Sequence, residues 1–184
     1  MRQQPKKEIR IIGWDDTLHT HKTKSVKLIG VIFRGASFMD GMLSIKVEKD
    51  GTDATAKLAN TIKNSRHFDQ LKVIMLDGIT FGGFNIIDIK ELNMQTGLSV
   101  IAIQRKRPNV AEFKSAIKKV FKDWKTRLAM VQSAGELKMF AKGGKSFWYQ
   151  QAGATEDYVN AILELTTIRG NIPEPLRIAH LIAG

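Results

Sequence analysis

Two apolar, strand-length runs, Ile9–Trp14 and Lys72–Leu76, each lead straight into aspartate: Asp15-Asp16 after the first, Asp77-Gly78 after the second. A third acid, Asp53, stands at the mouth of the helix expected between them. If the two strands are neighbours in a parallel pair, strand spacing brings their terminal carboxylates to about 5 Å of one another. Carboxylates that close repel unless they are protonated or bridged by a divalent cation. Mg²⁺ is usually held by one or two carboxylates together with substrate phosphate oxygens. The pattern therefore outlines a centre for phosphodiester cleavage.

Whether the two strands are neighbours depends on the elements around them. Val26–Arg34 and Phe38–Glu48 read as two further strands, antiparallel because only Gly35-Ala36-Ser37 separates them. After the Lys49-Asp50-Gly51 turn, Thr52 or Asp53 can cap a helix to about Ser65 whose apolar face is Leu58, Ala59 and Ile62. Gly78–Asn85 is a glycine-rich loop, followed by a helix closed by Gly97 and a strand over Ser99–Gln104. From Pro108 the chain turns helical, with an apolar stripe of Phe113, Ala116, Ile117, Val120 and Phe121 opposite Lys114, Lys118 and Lys122. A hairpin around Gly143-Gly144 and two more helices, the last from Pro173, complete it. Hairpin-linked strands followed by right-handed crossovers give the order 3-2-1-4-5, with strand 2 antiparallel. That order sets the two aspartate-ended strands side by side. It is the topology of a ribonuclease H-like α/β fold: a mixed five-stranded sheet flanked by helices, with a C-terminal hairpin and helices.

A chain of 184 residues suits a single domain over 1–184. Its apolar runs are too short for a membrane span, its polar start argues against a signal peptide, and the absence of cysteine fits the cytoplasm. Lys and Arg number 29 against 18 acids, a net charge of +11, which suits a polyanionic partner.

Four segments carry a resemblance. Gly13-Trp14-Asp15-Asp16, Asn64-Ser65-Arg66-His67, Val73 through Asn85, and Leu165 through His180 resemble the mainly archaeal endonuclease dU family, related to endonuclease V among the ribonuclease H-like nucleases. The resemblance covers essentially the whole chain and implies a metal-dependent nuclease. The first-strand aspartate of endonuclease V is matched by Asp15, with Asp16 as rival, and its Asp-Gly by Asp77-Gly78. Asp53 corresponds approximately to its glutamate, and Lys106, or Arg105, to its lysine. Pro173-Glu174-Pro175-Leu176-Arg177-Ile178-Ala179-His180 matches its last motif closely. Where endonuclease V carries a proline- and tyrosine-containing wedge, this chain has Val47-Glu48-Lys49-Asp50-Gly51, so inosine specificity does not carry over.

Each feature also has a plain structural explanation. Asp15, Asp16, Asp53 and Asp77 are ordinary turn or cap residues when taken singly; His19 and His21 lie in a polar loop and read as solvated. His180 shares a helical face with Arg177, a pair that is costly in an apolar helix unless it faces a polar site. Arg105, Lys106 and Arg107 sit at the root of the Lys114 and Lys118 face, and with Arg177 they form a plausible phosphate track. The resulting expectation is an Mg²⁺- or Mn²⁺-dependent endonuclease acting on nucleic acid, DNA favoured over RNA, with deaminated bases such as deoxyuridine as the candidate target. Asp15, Asp77, Asp53 and Asp16 would hold metal, with His180 and Lys106 assisting. The competing expectation is a non-catalytic nucleic-acid-binding module on the same fold.

Overall fold

Strand β1 (Arg10–Asp16) is apolar on both faces, and such a strand is stable only in the middle of a doubly covered sheet. The computed structural model describes residues 4–184, so the first three residues of the domain expected over 1–184 lie outside the described residues. In it β1 pairs antiparallel with β2 (Ser25–Arg34), which pairs antiparallel with β3 (Phe38–Glu48). On its other side β1 pairs in parallel with β4 (Leu71–Asp77), with Trp14 opposite Leu76. Two short strands, β5 (Thr80–Phe81) and β6 (Asn85–Ile86), form a small hairpin inside the glycine-rich segment expected to be a plain loop. Beyond β4 lies parallel β7 (Ser99–Gln104). The expected 3-2-1-4-5 order is therefore present.

The sheet is larger than the five strands expected. The C-terminal hairpin, β8 (Lys138–Lys142) and β9 (Lys145–Ala152), joins it through antiparallel pairing of β9 with β7, making seven strands. Phe147 and Tyr149 of β9 enter the core beside Ile101 and Ile103. Without β9, β7 would be an open edge beside the site, and an unpaired row of backbone groups invites a partner strand.

Helices α1 (Ala54–Lys63) and α2 (Ile89–Thr96) cover one face through Leu58, Ala59, Ile62, Ile89 and Leu92. Gly97 closes α2 in the left-handed conformation at φ +70°. After α2 come α3 (Val110–Val120) and α4 (Trp124–Ser133). The apolar stripe expected to seat α3 is only partly covered: Ile117 is buried, Phe113, Ala116 and Phe121 are half-buried, and Val120 is 66% exposed. The opposite face is covered by α5 (Glu156–Thr166) and α6 (Glu174–Ala183).

Helix α6 reaches its place because β1 carries a glycine where the two touch. A Cβ on Gly13 would lie 2.6 Å from the backbone carbon of Pro175. Gly30, opposite Trp14, leaves room for the indole in the same way, since a Cβ there would stand only 2.6 Å from the ring. The first turn of α6 is anchored by Glu174, fully buried, which accepts from Arg177 Nε at 2.9 Å and Nη2 at 2.8 Å. Gly13→Ala forces a backbone-to-backbone clash that no rotamer relieves. It is expected to destabilise the fold by at least about 1–3 kcal/mol in chemical denaturation.

Candidate metal centre and substrate cleft

The parallel pairing of β1 and β4 sets Asp15 and Asp77 at adjacent strand ends, and α6 delivers His180 to the same point. One ligating atom from each of Asp15, Asp77 and His180 lies within 4.8 Å of the others. His180 Nδ1 stands 2.7 Å from Asp15 Oδ2. An ionised carboxylate only accepts, so the Nδ1–H donates, leaving Nε2 as the ring's remaining polar atom. Asp15 is 5% exposed, and its Oδ1 accepts the Asp16 N–H at 2.8 Å. Arg105 Nη2 donates to Asp77 Oδ2 at 3.3 Å.

These contacts leave Asp77 with a poorly solvated charge. Burial, reinforced by the neighbouring charges of Asp15 and Asp16, pushes its pKa up to about 6, although Arg105 and His180 pull the other way. Burial also raises Asp16, helped by Asp15 and opposed by the hydrogen bond from Gly82. The donor set suits a hard divalent cation: carboxylate oxygens are its preferred ligands, and a cation would offset both the burial of the Asp77 charge and its repulsion by Asp15.

Several residues expected at the centre have other partners. Asp16 accepts the Gly82 N–H through Oδ2 at 2.7 Å, tying the glycine-rich segment to β1, with His19 Nδ1 at 3.7 Å from the same oxygen. Asp53 occupies the N-cap position of α1 without capping it. Its carboxylate accepts from Glu48 N–H, Asn85 Nδ2 and Lys57 Nζ, the last two at 2.6 Å. Burial disfavours its charge, but the bonds from Lys57, Asn85 and Glu48 outweigh that and hold its pKa below the ordinary value. Asp53 is not among the three converging residues.

The cations are also redistributed. It is Arg105, not Lys106, that touches the acidic centre; Lys106 is exposed, with no ion pair among the described residues. Arg107 lies over Trp148 at 5.1 Å, Lys118 is 5.7 Å from the Trp124 ring centre, and Arg177 is held by Glu174. Two adjacent cations at a strand end look alike in sequence, and only the direction of each side chain separates them. Arg127 gives no signal in the sequence at all. Only 4% exposed, it donates to the carbonyls of Asp50, Gly51 and Phe84 at 2.8, 3.0 and 2.7 Å, clamping the glycine-rich segment against the turn before α1.

A cleft of about 620 Å³ starts at Gly78, the residue after Asp77, and is lined by α3; Asp15, Asp77 and His180 themselves do not line it. Gly78 and Thr80 stand at the acidic end, Gln104 and Gln150 line it from β7 and β9, and Phe84 and Phe113 contribute aromatic wall. Those two rings stack with centroids 5.5 Å apart. Its volume lies within the range of roughly 300–1,000 Å³ typical of ligand sites.

Comparison with known proteins gives a consistent picture. The profile of a family described as Endonuclease dU matches residues 7–184. A relative from Methanothermobacter thermautotrophicus, named UPF0215 protein, is 44% identical over 182 residues, covering 98% of this chain and 89% of its own. A crystal structure from Archaeoglobus fulgidus, described as a protein of unknown function, superposes with a TM-score of 0.85 at 33% identity, covering 95% of each chain. Endonuclease V of Ciona intestinalis, solved with a DNA containing inosine, shares the fold with a TM-score of 0.61 at 13% identity, covering 95% of this chain and 83% of the other.

The raised pKa of Asp77 has a consequence for stability. A carboxyl whose folded pKa stands above its ordinary value of 3.8 destabilises the fold once ionised. With metal chelated, Asp77→Asn is therefore expected to stabilise the protein above about pH 6, by on the order of 1–3 kcal/mol. The gain should shrink between about pH 6 and 4 as the native carboxyl takes up its proton. Thermal melts of both proteins across that range in EDTA measure it.

Proposed function

The chain belongs to the endonuclease dU family, and from that premise we propose that it is a divalent-metal-dependent endonuclease acting on DNA in the cytoplasm. The observation that carries this reading is the convergence of Asp15, Asp77 and His180 beside an open cleft. The fold it shares with endonuclease V supports it further, and so does the DNA bound by the Ciona enzyme.

In this reading Asp15 and Asp77 hold Mg²⁺ or Mn²⁺. Such an ion polarises the scissile phosphate and lowers the pKa of the attacking water. His180 fixes the orientation of Asp15 through Nδ1 and keeps Nε2 available to pass a proton near the scissile bond. Arg105, paired with Asp77, is the cation placed to neutralise charge building on the phosphate, taking the role expected of Lys106. Asp16 and Asp53 act behind the centre, one holding the glycine-rich segment and the other the start of α1. Lys106, Arg107, Lys114 and Lys118 form the phosphate track, and the single domain over 1–184 works as one unit. The cleft supports action at one unpaired base, a deaminated base such as deoxyuridine being the proposed target. Inosine does not follow from the likeness, because the wedge of endonuclease V is missing here.

The test is cleavage of labelled duplexes and single strands carrying uracil, hypoxanthine or an abasic site, with and without Mg²⁺ or Mn²⁺. Asp77→Asn should abolish metal-dependent cleavage and spare the fold. Its effect should be non-additive with Asp15→Asn, since groups serving one ion act as a unit. Cleavage that survives in Asp77→Asn moves the site elsewhere, while binding without turnover on every substrate favours the non-catalytic binding module.

Replacing Arg105, Lys106 and Arg107 by Ala should weaken DNA binding about equally for all sequences. It should also reduce the slope of log affinity against log salt by about 2–3, because each phosphate contact releases counterions. Binding titrations between low and moderate salt read this directly, and an unchanged slope would make that basic face plain solvated surface.

A further inference from the structure

Gln150 lines the cleft with an amide whose orientation the fold dictates. It is 7% exposed, and its Nε2 donates to the Gly135 carbonyl at 2.9 Å. A carbonyl can only accept, so the amide nitrogen must face Gly135 and Oε1 must face away from it. No hydrogen bond reaches Oε1 among the described residues, and the side chain lines the cleft. The result is a nearly buried side chain whose acceptor has a fixed direction and no partner among the described residues. Gln104 lies next to it across the β7–β9 pair, where Gln104 faces Trp148 and Ala102 faces Gln150. Half-buried and with no side-chain hydrogen bond among the described residues, Gln104 can turn either end of its amide to a ligand.

We propose that Gln150 is the specificity-determining residue of this cleft, selecting an unpaired base that presents a ring N–H. The inference rests on the nucleic-acid reading above and deepens it. The Watson–Crick edge of uracil or hypoxanthine offers a ring N–H donor beside a carbonyl acceptor. Gln150 Oε1 takes the first, and Gln104, turned to present its NH₂, gives to the second. Cytosine and adenine offer a ring-nitrogen lone pair at the same position. Two acceptors then face each other at a side chain only 7% exposed, and no direct hydrogen bond forms between them. A site built to receive one donor rejects the analogue lacking it far better than a hydrophobic pocket rejects a change of size. Phe113 on the cleft wall stacks on any base and is indifferent to this pattern.

The experiment measures equilibrium binding by fluorescence anisotropy, in EDTA, to hairpin DNAs with one bulged nucleotide. Wild type should bind the uracil and hypoxanthine bulges at least about tenfold more tightly than the cytosine and adenine bulges. A bulged 3-methyluracil, which loses the N–H without any change to the protein, should fall to the cytosine level. In Gln150→Met the four affinities should come within about threefold, whereas Phe113→Ala should weaken all four and keep their ratio. Equal affinities in wild type, undiminished binding of 3-methyluracil, or a preference that persists in folded Gln150→Met would each overturn the proposal. The methylated base decides the matter even if Gln150→Met fails to fold. Because no metal is present, the outcome is separate from that of the nuclease reading. Metal-dependent cleavage without a base preference would sink Gln150 alone, and a preference without cleavage would sink the nuclease alone.

Discussion

The parallel pairing of β1 with β4 is the constraint on which the rest of the molecule depends. Its register sets Trp14 beside Leu76 and so leaves Asp15 and Asp77 at the same end of neighbouring strands. Nothing in folding rewards that placement, because two poorly solvated carboxylates repel and each loses hydration. The surroundings offset it in part. His180 bonds Asp15, Arg105 pairs with Asp77, and Asp77 keeps its proton up to about pH 6. Strained charge clusters of this kind recur where chemistry is done, which is the ground for the metal centre proposed above.

Three devices far apart in the chain keep that end of the sheet in order. Gly13 lets the start of α6 approach the β1 backbone, which sets the height at which His180 emerges. Asp16 ties Gly82 to β1. Arg127 gathers the carbonyls of Asp50, Gly51 and Phe84 under the Phe121 ring, 4.1 Å from its guanidinium carbon. A buried guanidinium is stable only when its donors are satisfied, and here carbonyls from two separate segments take the terminal nitrogens while the Asp123 carboxylate accepts from Nε at 3.0 Å. The glycine-rich segment is therefore held from both sides while α3 is not. The cleft lies between this hydrogen-bonded margin and a helix whose apolar face is only partly covered.

That partial cover is not visible in the pattern of residues. Phe113, Ala116, Ile117, Val120 and Phe121 repeat with helical spacing, and spacing reports that one face is apolar without saying what covers it. Here the stripe meets a gap, and Phe113 becomes wall rather than core. The C-terminal hairpin is a similar case. Its turn is evident in Gly143-Gly144, but its attachment to β7 depends on which edge remains open once the first five strands have formed.

What the sequence determined by itself was set by local periodicity and by chain connection. The strands and their ends, the closing of α2 at Gly97, the order 3-2-1-4-5, and hence the meeting of Asp15 with Asp77 all follow from patterns within a few residues and from the handedness of crossovers. His180 was legible through its motif, though its pairing with Asp15, 165 residues away in the chain, was not. The tertiary structure alone decided between near-equals. Asp15 rather than Asp16 faces Asp77, Arg105 rather than Lys106 reaches it, and Asp53 braces Glu48 and Asn85 instead of joining them. It also turned Gln150 from a strand residue into an oriented acceptor. Adjacent residues on a strand point to opposite faces, and cations at a strand end differ only in direction. Identity and spacing leave such choices open until the other elements are packed in place.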